Sequence, residues 1–369
     1  MRLLSRLVSI VVIPAQMPGN VLHVLAMLME NPVRAVASWP RQLVCALLLQ
    51  LVRLQKLEIP EDAALARLAK LRARFLQRGW LSAAIYTEEK LRLDAVLLEP
   101  PASARPPRFV LFVGGNFQKY EDWMPYFDRY ARDAEVGFLA FNFRGVARSE
   151  GAVCCAADLV ADVQACVDFI LARGVRPEHL LVHGFSIGGA VAALYLATPA
   201  APAAAFASDR SFRSLSHAAY GMIRQPCLDG DCGSEDDEAL FDADGGASLA
   251  ARLKRKVDVY GRVVISAIAV STLRFLAWDM CAEAAWPLVS GKKLLLFHRE
   301  DSVIHYEAAS LHQALLQRAR ACTYSHMSSF DPNVREVEVT RMGANGYPSH
   351  DFPLCADASA WAGLISGVR

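Results

Sequence analysis

The chain has 369 residues, 54% of them apolar and 21% charged, with a formal net charge of +1 and a mean hydropathy of +0.23. That balance excludes a disordered chain and argues against a nucleic-acid binder, which needs a basic surplus. At this length one large α/β domain with appendages, or two domains, is expected. The nine cysteines show no CxxC and no Cys/His spacing of the kind zinc needs, so they read as reduced thiols. Cys227 and Cys232 are the exception, able to close a small loop in an oxidising compartment.

In chain order, residues 1 to about 80 read as a helical extension. Arg2 and Arg6 precede the apolar run 7–13, but Pro14 interrupts it and no small-x-small cleavage site follows, so a signal peptide is not expected. Residues 43–52 form the longest uncharged apolar stretch, short of the ~20 residues that span a bilayer, and no transmembrane helix is expected. Pro18, Pro32, Pro40 and Pro60 divide the region into short helices. The last opens at Pro60-Glu61-Asp62, with Leu65, Leu68, Leu71 and Phe75 alternating with Arg67, Lys70, Arg74 and Arg78. Residues 1–56 carry six Lys or Arg against Glu30 alone. Such a region suits packing on the rest of the chain with its charges solvated, and it also suits peripheral contact of residues 1–80 with an anionic membrane.

From residue 82 the period changes. Residues 83–87 and 91–98 predict a β-hairpin. Strand 109–113, helix 123–133, strand 136–143, helix 156–173, strand 180–185, helix 186–196 and strand 203–207 follow. Alternating strands and helices predict an α/β fold, a mostly parallel sheet wound on both faces, occupying residues 81–369. A long interval precedes the apolar strand 293–297, and a cap insertion is expected at about 213–290. It holds an acidic stretch, 229–246, and an apolar segment, 263–277. The acidic stretch fails as a calcium loop, because Gly233 stands where a third oxygen ligand is needed and Leu240 where a Glu should close the site; it reads as a solvated loop. A helix at 306–318, a strand at 334–340 and a glycine-containing loop at 343–349 complete the pattern, without internal repeats.

The sharpest motif is Gly184-Phe185-Ser186-Ile187-Gly188-Gly189, between a β-branched strand and an alanine-rich helix. A serine hydroxyl is a poor nucleophile unless exposed beside a base and an oxyanion donor, and a strand-to-helix turn provides both. Gly184 and Gly188 relieve crowding at that turn, and Gly189 lets the helix approach the sheet. At these residues the sequence resembles the α/β-hydrolase superfamily, over roughly residues 82–355. Gly114-Gly115-Asn116 looks like its His-Gly-Asn oxyanion loop, with Gly114 where a histidine is common. Residues 142–151, Asn142-Phe143-Arg144-Gly145-Val146-Ala147-Arg148-Ser149-Glu150-Gly151, are similar to its RGxGxSxG turn. Tyr120-Glu121, residues 208–212 (Ser-Asp-Arg-Ser-Phe) and Trp278-Asp279 further resemble the SidB-like hydrolases of bacterial effector proteins.

The resemblance implies an oxyanion hole made by the backbone N–H groups of Asn116 and Ile187. It also implies a triad in the order serine, acid, histidine. Strand 293–297 runs into His298-Arg299-Glu300-Asp301-Ser302-Val303-Ile304-His305, similar to the family's HGxxDxxVP segment but one residue shorter, with Arg299 for glycine and His305 for proline. Asp301 is the expected acid, with Glu300 next; Asp209 reads as a structural salt-bridge residue. His350 is the expected base, because it lies in a loop where an imidazole can swing between accepting and donating a proton, and His326 is the fallback. His298 reads as structural, His183 as buried beside the sheet, and the vicinal Cys154-Cys155, which no general base or partner motif accompanies, as ordinary packing residues.

The expected function is a serine hydrolase of esterase, lipase or thioesterase type, with Ser186, His350 and Asp301 as triad. A serine nucleophile disfavours the dehalogenase and epoxide hydrolase chemistries of this fold, which use aspartate. No metal or organic cofactor is implied. The expected partner is a small-molecule or lipid acyl substrate, for a protein of the cytoplasm or a secreted effector without a transmembrane helix. The alternative is an inactive hydrolase fold kept as a binding or membrane-associated interaction module, supported by the departures at Gly114, Arg299 and His305.

Overall fold

Val, Leu and Phe in short unbroken runs build the middle of the sheet, as strands buried on both faces require. The computed structural model describes residues 61–104, 106–116, 118–228, 249–275, 278–322, 334–339 and 350. The strands are β1 (Leu81–Tyr86), β2 (Arg92–Leu98), β3 (Phe109–Val113), β4 (Gly137–Phe141), β5 (Leu180–Phe185), β6 (Ala205–Asp209), β7 (Lys293–Phe297) and β8 (Val334–Glu338). They form one sheet in the order β1-β2-β4-β3-β5-β6-β7-β8. β1 and β2 are the expected antiparallel hairpin, β2 joins β4 antiparallel, and the rest is parallel. Every residue of β3, β4, β5 and β7 is buried.

The helices are α1 (Glu61–Leu76), α2 (Tyr120–Asp133), α3 (Ala156–Leu171), α4 (Ile187–Leu196), α5 (Leu215–Leu228), α6 (Leu249–Phe275), α7 (Ala282–Ala285), α8 (Tyr306–Ala309) and α9 (Leu311–Cys322). The chain divides into two compact units, residues 1–58 with 226–265 and residues 59–225 with 266–369. The second holds the sheet. Helices α5, α6 and α7 lie in the interval between β6 and β7, and residues 263–275 of the expected apolar segment form the second half of α6. Among the described residues no helix is long and apolar enough to cross a membrane. The acidic stretch 229–246, Cys232 and residues 1–60 lie outside the described residues.

Three expected elements differ, each for a tertiary reason. The strand at 203–207 moves to Ala205–Asp209, in register with Leu181–Phe185 of β5. Strand 136–143 stops at Phe141: the Asn142 N–H still donates to Asp94, its partner on β2, but the return bond is replaced by the Ser149 hydroxyl, which accepts the Asp94 N–H at 2.9 Å and donates to the Asn142 carbonyl at 2.6 Å. The helix at 306–318 breaks at Ser310, which turns extended and bridges to Phe212.

α1 packs with the sheet unit by burying Leu68 and Phe75. It also inserts a cation: Arg72 Nη1 donates to both Asp94 oxygens, at 2.7 and 2.9 Å. The Tyr120 hydroxyl donates to the same carboxylate at 2.8 Å, and the Tyr120 N–H donates to Asn142 Oδ1 at 3.0 Å. Asn142 Nδ2 then donates to Glu121 Oε2 at 3.0 Å. Burial pushes the Glu121 carboxyl up, more than its Asn142 bond pulls it down. In the following turn Arg144 is tied to Asp162 through its N–H and its Nε. Ala147, at the second glycine of the RGxGxSxG pattern, keeps a left-handed φ of 49°.

Candidate active site

β5 ends at Phe185 and α4 begins at Ile187, which leaves Ser186 alone to reverse the chain, with φ 53° and ψ −121°. A non-glycine residue holds such angles only when its surroundings impose them. Two glycines make the turn sterically possible. A Cβ at position 184 would lie 2.5 Å from the Gly188 oxygen, and one at position 188 would lie 2.1 Å from the Val113 oxygen. The peptide groups of Ser186 are held from β6 and beyond: its N–H donates to the Asp209 oxygen at 2.9 Å, and its carbonyl accepts from Ser211 Oγ at 2.8 Å.

The loop after β3 carries Gly114, Gly115 and Asn116. Gln118 closes it: its Oε1 accepts the Gly115 N–H at 2.7 Å, and its own N–H returns to the Gly115 oxygen. This occupies Gly115's donor one residue before Asn116, which is exposed. The sequence reading missed Gln118, whose role depends on a turn geometry that its residue type does not announce.

Asp301 and His350 meet across 49 residues, His350 Nδ1 standing 2.8 Å from Asp301 Oδ2. The other oxygen, Oδ1, accepts the N–H groups of Val303 and Ile304, both at 2.8 Å, so the carboxylate is oriented from two sides. With Nδ1 donating to the carboxylate, the imidazole presents the lone pair of Nε2. Nε2 is buried and has no hydrogen-bond partner among the described residues. The His350 ring lies 5.0 Å from the ring of Phe185, the residue immediately before Ser186.

The other candidates have different occupations. Glu300 is exposed and gives its N–H to His298 Nδ1. His326 lies outside the described residues. His312 binds the Tyr306 hydroxyl at 2.6 Å and stacks on Phe297 at 3.5 Å. His305, in place of the pattern's proline, caps α8 by accepting the Ala308 N–H. Asp209 is buried between Arg210, at 2.7 Å, and His183, at 3.2 Å. Burial pushes its carboxyl up, but the guanidinium and the imidazole outweigh that and hold it below the usual carboxylate range. Cys154 is exposed and Cys155 half-buried, so neither is the ordinary packing residue expected; their N–H groups both bind Asp158 Oδ2, in the first turn of α3. Among the described residues no cluster of three or more His, Cys, Asp or Glu side chains is placed to hold a metal ion.

A family model for the alpha/beta hydrolase fold matches residues 108–225, from β3 through the elbow to α5. An alpha-beta hydrolase from Vibrio vulnificus superposes with a TM-score of 0.51 at 16% identity, over 81% of this chain and 85% of that one. The fold is that of the α/β hydrolases. The esterase Pf2001 of Pyrococcus furiosus gives a TM-score of 0.48 at 16% identity, over 78% of this chain and 90% of that one. An esterase from Exiguobacterium antarcticum gives 0.45 at 11%, over 78% and 98%. No curated protein matches the sequence. Within the α/β-hydrolase fold, the elbow after β5, the loop after β3 and the acid after β7 all lie at the carboxyl ends of parallel strands, where this architecture places its sites.

Proposed function

We propose that the protein is a serine hydrolase that cleaves an ester or thioester through an acyl-enzyme. Ser186 Oγ attacks the acyl carbonyl while His350 Nε2 takes its proton, and the same nitrogen returns the proton to the leaving group. Water then attacks acyl-Ser186 by the reverse sequence. Asp301 orients the imidazole and stabilises its charged form. The N–H groups of Asn116 and Ile187 stabilise the tetrahedral oxyanion, each worth about 3 kcal/mol of barrier by comparison with other acyl-transfer enzymes. The observation that carries this reading is the oriented Asp301–His350 pair, whose Nε2 is buried without a partner among the described residues and whose ring lies 5.0 Å from that of Phe185, the residue before Ser186.

Fluorophosphonate labelling of the intact protein, of Ser186→Ala and of His350→Ala tests it. Labelling confined to the intact protein is expected, followed by turnover in a chain-length series of esters and thioesters. A folded, unlabelled intact protein would favour the binding-module alternative. The proposal includes an acyl-chain or lipid substrate met at a membrane surface through the basic residues 1–56. Removal of residues 1–58 is expected to abolish sedimentation with anionic vesicles while leaving labelling intact. The likeness to SidB-like effector hydrolases belongs to the proposal as well, and translocation of the chain into host cells by a secretion-competent bacterium tests it.

A further inference from the structure

We infer that Arg210 is a positioning residue for the His350 base, acting through the Phe185 ring; this rests on the serine-hydrolase reading and deepens it. Arg210 is 3% exposed and holds a φ of 48°, one of five non-glycine residues with positive φ among those described, Ser186 being another. Strain of this kind persists where the surroundings over-determine the backbone. Here they do. The guanidinium binds both Asp209 oxygens, Oδ1 through Nε at 2.7 Å and Oδ2 through Nη2 at 3.2 Å, and His183 Nε2 stands 3.2 Å from the same Oδ2. The Arg210 N–H donates to the carbonyl of Leu296, on the strand that leads to Asp301.

One face of this assembly is applied to an aromatic ring. The Arg210 guanidinium carbon lies 4.8 Å from the centre of the Phe185 ring, and that ring lies 5.0 Å from the imidazole of His350. The two residues flanking Arg210 hold the peptide groups of Ser186, Asp209 through its carbonyl and Ser211 through its hydroxyl. One tripeptide therefore fixes the nucleophile through the backbone and the base through a ring. A buried ion pair rarely outdoes an apolar replacement in stability, so stability alone gives little reason for one here. A guanidinium over an aromatic face does restrict the tilt of that ring. Reaction geometry is sensitive to such restriction, since a displacement near 1 Å costs about a hundredfold in rate.

The test compares Arg210→Lys, Arg210→Met, Phe185→Leu, the Arg210→Met/Phe185→Leu pair, and Asp209→Asn/Arg210→Met, which removes both charges and leaves no orphaned carboxylate. Fluorophosphonate labelling rate, kcat and KM for a short-chain ester, and the thermal midpoint are measured for each. Arg210→Met and Phe185→Leu are each expected to lower kcat and the labelling rate about ten- to a hundredfold, with KM unchanged within about twofold. Arg210→Lys should recover part of the rate. Adding Arg210→Met to Phe185→Leu should cost little more, because the ring that transmits the effect is already gone. Losses that multiply in the pair, or a folded Asp209→Asn/Arg210→Met protein that labels at the wild-type rate, would overturn the inference. An unlabelled wild-type protein would overturn the serine-hydrolase reading itself, and this inference with it.

Discussion

Replacing Gly188 by alanine separates the elbow from the loop after β3 by a calculable amount. The added Cβ would stand 2.1 Å from the Val113 oxygen and 2.5 Å from the Gly114 oxygen, where ordinary contact begins at 3.4 Å. Both obstacles are backbone carbonyls at the end of a buried strand, and neither can rotate away. The first turn of α4 and the end of β3 must therefore part by about 1 Å, a strain of the size that overpacking imposes at about 1–3 kcal/mol. The same displacement moves the Ile187 N–H relative to that of Asn116, and so disturbs the oxyanion hole proposed for the pair. We expect the fluorophosphonate labelling rate and kcat to fall about a hundredfold, with a urea midpoint lowered in proportion to the strain. Gly174→Ala is the control, because its Cβ meets nothing within 4 Å and its φ of 85° strains only the backbone, at about 1 kcal/mol; its labelling rate should match wild type. A Gly188→Ala protein that labels as fast as Gly174→Ala would refute the reasoning.

Asp301→Asn is expected to keep the fold and KM while lowering kcat about 10³- to 10⁴-fold, because an amide no longer selects the productive imidazole tautomer; steady-state kinetics showing less than a tenfold loss would move the role to another acid. Glu121→Gln is expected to raise stability at pH 7 and to change it little near pH 4. The folded carboxyl titrates above its unfolded value, so whatever stability its neutral form contributes is full below the unfolded pKa and is lost as pH rises through the folded one; urea titrations at the two pH values check this. Ala147→Gly is expected to stabilise the protein by about 0.5–1 kcal/mol by relieving a left-handed φ, seen as a higher thermal midpoint with unchanged kcat.

The elbow was readable because its strain demands glycine at fixed offsets from the serine, so Gly184 and Gly188 advertise a conformation as well as a composition. The parallel sheet was readable for a similar reason, since strands buried on both faces must be short, apolar and spaced by helices. Asp301 and His350 could be singled out by their order after the last long apolar strand. What periodicity could not show were pairings set by the tertiary fold: Arg72 with Asp94, Gln118 with the Gly115 N–H, Ser211 with the Ser186 carbonyl. These are single polar side chains in otherwise ordinary segments, and their partners lie on other elements or in a turn of irregular geometry. The break of the 306–318 helix at Ser310 belongs to the same class, imposed by a bridge to Phe212 that nothing in the local sequence announces.

The Arg72–Asp94 pair also decides where this chain can be shortened. A cut just before β1 would look natural on a diagram of the sheet, yet it would remove the cation and leave Asp94, nearly inaccessible to water, with an uncompensated charge. Leaving one partner of a buried pair costs about 3–5 kcal/mol, a large part of what holds a typical domain folded. A protein trimmed to residue 81 would therefore be strongly destabilised, and its loss of activity would say nothing about what the removed residues do. Trimming at residue 59 keeps α1 and its arginine, and isolates the role of the preceding segment from the integrity of the sheet.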